Sequence, residues 1–395
     1  MQNRSLVPLI VLSGLIISLC MGLRQSLGLY MRPIGADLGI TAAAFGFSIA
    51  LQNIVWGLAQ PFAGAVADRT GPRPVIVVTA LLFASGLLML MHANAFPGAL
   101  VVAGLLLGVG TTGFSTLYGA INRRADPMKR SQTVGLVAAC GSLGTMVIAP
   151  LGGRLIDVPG WQTGLYVFAA LAAAMAVFAL PIDESPPGVS SQKIKLRDAL
   201  REALGHRGYL FMTLAFFACG FQLVFLTTHL PAYLALCGIA PGVGATALGL
   251  IGLFNAIGTF IFGQLGARYS QKHLLAMIYL LRTAFIVVFL VAPVSAATTL
   301  VFAAAMGFLW LGVTPLVNGI LARVFGLTHF NALFGVVFLS HQVGSFFGAW
   351  MGGLVFDRFG NYNVAWGALI AIGLTAFTLQ WLMSERPLQA APQPA

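Results

Sequence analysis

Along this chain the polar positions come in short clusters, and the stretches between them are almost continuously apolar. Runs of this kind lie near 6–30, 43–66, 74–93, 98–122, 131–153, 162–181, 207–235, 244–267, 273–293, 297–322, 331–354 and 363–383. Each approaches or exceeds the roughly 20 helical residues needed to cross a hydrocarbon core about 30 Å thick. A transmembrane barrel would instead alternate polar and apolar residues in segments of about ten, and no such segments occur. The pattern therefore predicts an all-α membrane protein of twelve transmembrane helices. The first run carries Arg4 ahead of it but is longer than a secretory signal core, and no small-residue cleavage site follows, so it reads as a retained span.

Composition agrees with this reading: 58% of residues are hydrophobic and 8% are charged, against about 25% charged in a soluble domain. The cations are distributed unevenly. Arg4, Arg69, Arg73, Arg123, Arg124, Lys129, Arg130, Lys193, Lys195, Arg197, Arg201, Arg207, Arg268, Lys272, Arg323 and Arg386 fall at the ends and in the even-numbered loops, while the other side holds only Arg32, Arg154 and Arg358. Positive residues collect on the cytoplasmic side. Both termini are thus expected in the cytoplasm, with the protein multi-pass in a plasma membrane, the inner membrane of a bacterium. The same bias accounts for the net charge of +11 without a nucleic-acid partner. Cys20, Cys140, Cys219 and Cys237 have neither metal-ligand nor CxxC spacing, and no metal or cofactor is expected. No GxSxG, HExxH, Walker or dinucleotide-binding pattern is present in a fitting context, so an enzyme is not expected.

All ten acids lie at span ends or in loops, whereas Arg24 and Arg282 fall inside spans. A charge at that depth costs at least about 2.5–3.5 kcal/mol, and no intramembrane acid offsets it. An anionic solute is the natural partner. Arg24, placed in the outer part of span 1, is the prime anion-gripping candidate through a bidentate guanidinium; snorkelling to the surface is the competing reading. Its mate in the second half is Gln222. Arg282 either meets the substrate or bonds neighbouring carbonyls. His341 shares a face of span 11 with Gly344, Ser345, Gly348 and Gly352, and either carries a coupled proton or donates to a backbone carbonyl; His229 is a lesser candidate. Polar faces recur on other helices: Thr111, Ser115, Tyr118 and Asn122 on span 4; Trp310, Thr314 and Asn318 on span 10; Gly252, Asn255 and Thr259 on span 8; Gln52 and Trp56 on span 2. These serve ligand binding or interhelical hydrogen bonding.

The two halves repeat in parallel. Gly152, Gly153, Asp157 and Gly160 recur 200 residues later as Gly352, Gly353, Asp357 and Gly360. Gly119, Arg123, Gly135 and Gly144 match Gly319, Arg323, Gly335 and Gly344 at the same offset. The turn after span 2 reads Gly64-Ala-Val-Ala-Asp68-Arg69-Thr-Gly71-Pro-Arg73 and resembles the GxxxDRxGxR loop motif of major facilitator transporters. Across nearly its whole length the chain resembles that superfamily. Through Gly22-Leu-Arg-Gln-Ser-Leu-Gly28, Tyr279-Leu-Leu-Arg282 and Ser340-His-Gln-Val-Gly344 it is similar to the bacterial branch allied to monocarboxylate and oxalate–formate carriers.

The resemblance implies two six-helix pseudo-repeats, with the substrate site between them near the midplane. The divisions expected are an N-terminal bundle 1–182, a cytoplasmic linker 183–206 that includes a short surface helix, a C-terminal bundle 207–386 and a disordered tail 387–395. It further implies that Gly64, Asp68, Arg69, Gly71 and Arg73 form a cytoplasmic gate latch, with Gly64 packed closely on a neighbouring helix. In the second copy of that turn, Ala267 replaces the acid. Spans 1, 2, 4, 5, 7, 8, 10 and 11 would line the cavity, which makes Arg24, Gln222, Tyr118, Asn122, Asn255, Asn318 and Arg282 the substrate-binding candidates and His341 the proton-coupling candidate. Where monocarboxylate carriers place an acid and an arginine in span 8, this chain has Asn255 and Thr259. The function expected is secondary active transport of a small organic anion, a monocarboxylate, by a proton-coupled monomer. An exporter of drugs or amphipathic compounds is the alternative, although Pro150-Leu-Gly152-Gly153 is one residue short of the drug-antiporter motif. A non-transporting sensor or scaffold is a third reading.

Overall fold

The architecture is seen in a computed structural model that describes residues 6–124, 130–182, 201, 203–325 and 330–385. The side chains of Asp68 and Asn122, most of the expected linker and the expected tail lie outside the described residues. Among those described, twelve helices are long and apolar enough to cross a membrane: Leu6–Leu38, Ala42–Ala67, Pro72–Met91, Ala99–Ile121, Gly135–Asp157, Trp161–Ala179, Arg207–Leu236, Pro241–Arg268, Gln271–Val291, Ala296–Val324, Leu333–Phe359 and Asn363–Leu382. They are numbered spans 1 to 12. The expected all-α architecture of twelve spans in two pseudo-repeats is the one observed.

Span 1 extends past its expected end. Its first helix stops at Gln25, a 3-10 turn follows over Leu27–Tyr30, and a helix over Met31–Leu38 completes the crossing. The Ser26 hydroxyl donates to the Gly22 carbonyl at 2.7 Å and satisfies an acceptor at the bend. Arg24 therefore sits near the middle of the span. Its expected place in the outer part was an error, because Arg32, Pro33 and Asp37 made the hydropathy pattern end too early.

Spans 4 and 10 are both broken near their centres. Span 4 is helical over Ala99–Gly110 and Thr116–Arg124, with a 3-10 turn between, and span 10 over Ala296–Leu309 and Val313–Phe325. The polar positions expected to share one continuous face of each helix are thus divided by a break. In span 4 the freed carbonyls are answered locally: the hydroxyls of Thr112, Ser115 and Thr116 donate to Val109, Thr112 and Gly113 at 2.7, 2.8 and 2.7 Å.

Spans 2 and 11 pack together, as do spans 5 and 8, and these pairs join the halves. Contacts begin at the side away from the termini, where Gly353 meets Ala42 and Ala43, and continue through Gly46 on Ala349 to Gly57 on Gln342 and Leu339. In the other pair they run from Gly153 on Ala245 to Gly252 on Ser142 and Thr145. Toward the termini no such contact is seen among the described residues. The Cα positions of Gly64, Gly135 and Gly335 would take a methyl group with no described atom within 4 Å. The molecule is closed on the far side and open on the termini side, and the expected close packing of Gly64 is absent in this conformer.

Candidate substrate site

The seam between spans 2 and 11 ends at a polar layer in the middle of the bundle. Arg24 reaches this layer from the last turn of the first helix of span 1. It is half-buried. Nη1 donates to Asn53 Oδ1 at 3.1 Å, and the guanidinium carbon lies 4.9 Å from the ring centre of Trp56. Nε is buried without a hydrogen-bond partner. A helix C-terminus stabilises a partly buried cation by up to about 2 kcal/mol, and an aromatic face adds about 0.5–2 kcal/mol. Together these offset most of an insertion cost of about 2.5–3.5 kcal/mol. The arginine is held in place, with Nε left unpartnered and no carboxylate bonded to it among the described residues.

Asn53 is fixed by donating from Nδ2 to the Ile49 carbonyl at 2.8 Å. Its own carbonyl accepts from Gln342 Nε2 of span 11 at 2.8 Å. Gln342 Oε1 is then free to accept, and it lies 3.1 Å from His341 Nδ1. This network assigns the proton to Nδ1, leaving Nε2 of neutral His341 with its lone pair. A chain of polar contacts thus runs from Arg24 through Asn53 and Gln342 to His341, crossing from one half to the other. An aromatic wall flanks it: Phe338 meets Trp56 edge-on at 5.2 Å and stacks parallel to His341 at 6.0 Å, while Phe114 packs on Trp56 and on Tyr118. Tyr118 and Phe338 are half-buried.

Other predicted residues are placed elsewhere. Arg282 is 2% exposed; Nε and Nη2 donate to the Leu309 carbonyl at 3.1 and 2.6 Å, and Nη2 also to the Trp310 carbonyl. It closes the break in span 10, doing from span 9 what Ser and Thr hydroxyls do in span 4. Nε and Nη2 are committed to backbone, which gives Arg282 a structural role at the break. Gln222 donates to the Leu369 carbonyl of span 12 at 3.2 Å and faces outward from the seam. Asn255 donates to Ser142 at 2.8 Å and accepts from Leu311 N at 2.8 Å, tying span 8 to spans 5 and 10. Asn318 is half-buried, with Oδ1 unpartnered. His229 is fully buried, 2.6 Å from the Ala349 carbonyl and 3.3 Å from the Tyr362 hydroxyl. In the loop motif, Arg69 and Arg73 are exposed. Gly71 has φ +83°, a conformation open to glycine at little cost, and it turns the chain directly into Pro72 at the start of span 3.

Sequence reasoning passed over Asn53 and Gln342. Asn53 adjoins Gln52, which had been placed on a polar face, and Gln342 adjoins His341. An amide inside a span was the available signal.

Residues 10–349 match the Major Facilitator Superfamily. The chain belongs to this superfamily of transporters. It is 26% identical to monocarboxylate transporter 13 of Rattus norvegicus, over 92% of this chain and 86% of that protein. It is 22% identical to the oxalate:formate antiporter of Oxalobacter formigenes, over 95% and 91%. Among solved structures it is similar to a bacterial homologue of the human lysosomal transporter Spinster in an inward-facing, occupied conformation. That likeness has a TM-score of 0.75 at 15% identity and covers 96% of this chain and 98% of the other.

Proposed function

We propose that this superfamily member is a secondary transporter of a small organic anion, a monocarboxylate, working by alternating access. The observation that carries the reading is the mid-span Arg24, with a buried Nε that has no partner. Asn53 occupies one corner of the guanidinium, so a carboxylate would bind along the opposite edge, its body against Trp56, Phe338 and Tyr118. Relatives named for monocarboxylate and for oxalate and formate agree with this chemistry. Sixteen against three Lys and Arg residues favour cytoplasmic termini, which makes the open side the inward one. The bodies that rock are the halves 1–182 and 207–386, joined by 183–206, in a monomer. His341 is the coupled proton's carrier, for symport: it stands in the same polar layer with one ring nitrogen free to accept. Asp68 serves as the latch on the termini side.

The test is uptake of labelled organic acids into proteoliposomes under an imposed pH gradient. Saturable, pH-driven accumulation of a monocarboxylate is expected; a panel of acids that neither accumulate nor compete would overturn the reading. The aromatic wall and the uncharged Asn255 and Thr259 favour a second reading, export of amphipathic compounds. It would be marked by transport that ignores the carboxylate and follows apolar surface.

A further inference from the structure

The first N–H groups of a helix have no acceptor within it. At the start of span 2 they can be traced one by one. Thr41 Oγ1 accepts from Ala44 N at 3.1 Å, and Phe45 N donates to the Thr41 carbonyl at 3.1 Å. The two that remain, on Ala42 and Ala43, are both taken by Asp357 of span 11, from the other half of the molecule. Ala42 N donates to Oδ1 at 3.1 Å and Ala43 N to Oδ2 at 2.7 Å. One carboxylate straddles the helix start, with its charge at the positive end of the helix dipole. One turn earlier Gly353 allows the approach: a Cβ there would stand 2.6 Å from the Ala43 Cα.

The repeat places Asp157 at the matching position in span 5, facing the start of span 8. That helix begins Ala240-Pro241-Gly242, and Pro241 sits at its first turn. Proline has no N–H, so the two-point bond has no counterpart. Asp157 is exposed and has no hydrogen bond or ion pair among the described residues. Two seams close the far side, and the charge-to-helix tie is on one of them.

We propose that Asp357 is a positioning residue of the transport cycle: it acts through the N-terminus of span 2 to favour the conformer closed on the far side, and Asp157 has no such part. When the far side opens, water takes over the two N–H groups, so the tie biases the equilibrium without locking it. The proposal rests on the alternating access of the superfamily and not on the identity of the substrate. It also pairs Asp357 with Asp68, which lies at the other end of the same helix, Ala42–Thr70.

The experiment uses the full chain, purified in detergent, with Cys20, Cys140, Cys219 and Cys237 replaced and one reporter cysteine added. Thr228→Cys reports the far side, where span 7 backs onto Gly28 and Thr228 is buried. Gly335→Cys reports the open termini side. Loss of a charged helix cap corresponds to roughly tenfold in population, or about 1.4 kcal/mol. Asp357→Ala should therefore raise the maleimide reaction rate at position 228 by about tenfold and lower it at position 335. Asp357→Asn, with one acceptor and no charge, should fall between, and Asp157→Ala should change neither rate. A purely static cap would lower thermal stability and leave both rates alone. Unchanged rates in Asp357→Ala overturn the proposal, as does an equal shift from Asp157→Ala. If the alanine variant does not fold, the near-isosteric Asp357→Asn decides in the same way, with unchanged rates again overturning it.

Discussion

Replacing Arg24 with glutamine tests anion binding most directly. Glutamine is two bonds shorter and keeps an amide about where Nε stands, while the charge, the guanidinium edge and the 3.1 Å bond to Asn53 Oδ1 are gone. A hydrogen bond to a charged group contributes about 1.5–3 kcal/mol, which weakens binding by roughly ten- to a hundredfold. The two ligand states then respond differently. Without substrate, the lost contacts with Asn53 and Trp56 are set against the relief of a desolvation cost, so Arg24→Gln should melt close to the parent protein. With substrate at a hundred times the parent's Kd, the parent gains about 2.7 kcal/mol and the variant only about 0.4–1.4 kcal/mol. Arg24→Lys keeps the charge but loses the planar edge and should fall between. Thermal melts of the detergent-purified protein with a panel of carboxylates read this directly. A folded Arg24→Gln stabilised by the identified substrate as strongly as the parent would refute the assignment and leave the amphipath exporter as the better reading.

His341→Gln can still donate to Gln342 but cannot accept a proton; it should abolish pH-driven accumulation in proteoliposomes and spare counterflow exchange, and retained accumulation excludes His341 as carrier. Arg282→Leu strands the Leu309 and Trp310 carbonyls at about 1–3 kcal/mol each, so the melting temperature should drop while substrate affinity in the surviving protein holds; a selective loss of affinity would return Arg282 to the binding site. Asp68→Asn should shift the Thr228 and Gly335 reporter rates in the sense opposite to Asp357→Ala, toward the conformer open on the termini side. A shift in the same sense removes Asp68 as a latch.

The spans and their repeat were readable because each depends on a local property of the chain: a run of apolar residues, or an ordered set of Gly, Arg and Asp. The depth of Arg24 was misjudged because span 1 turns through a 3-10 segment and continues past Arg32 and Pro33 to Leu38, and hydropathy does not register a bend. Arg282 illustrates a different limit. Its acceptors exist only because span 10 breaks after Leu309, and an apolar Phe-Leu-Trp-Leu stretch gives no sign of a break. Gln222 and Asn255 were correctly read as polar positions inside spans, but which neighbour each faces depends on helix rotation, which only packing fixes. Asp357 was visible as part of the repeat; its use followed from the contrast between Thr41-Ala42-Ala43 and Ala240-Pro241-Gly242 at the two helix starts.

The unpaired edge of Arg24 also bears on the rhythm of the cycle. To change sides, the bundle must close over the central layer and strip water from it. On the proposed reading, a carboxylate in place pairs the guanidinium in the occluded layer, beside whatever proton His341 carries. Empty, it would have to enclose an unpaired guanidinium stripped of its hydration, and on that reading the return journey would be the slower of the two. Net movement would then be governed by the unloaded protein, whereas swapping one anion for another would bypass that step. Substrate on the trans side should therefore accelerate efflux, and the acceleration should disappear in Arg24→Gln, whose empty form has no cation to dehydrate.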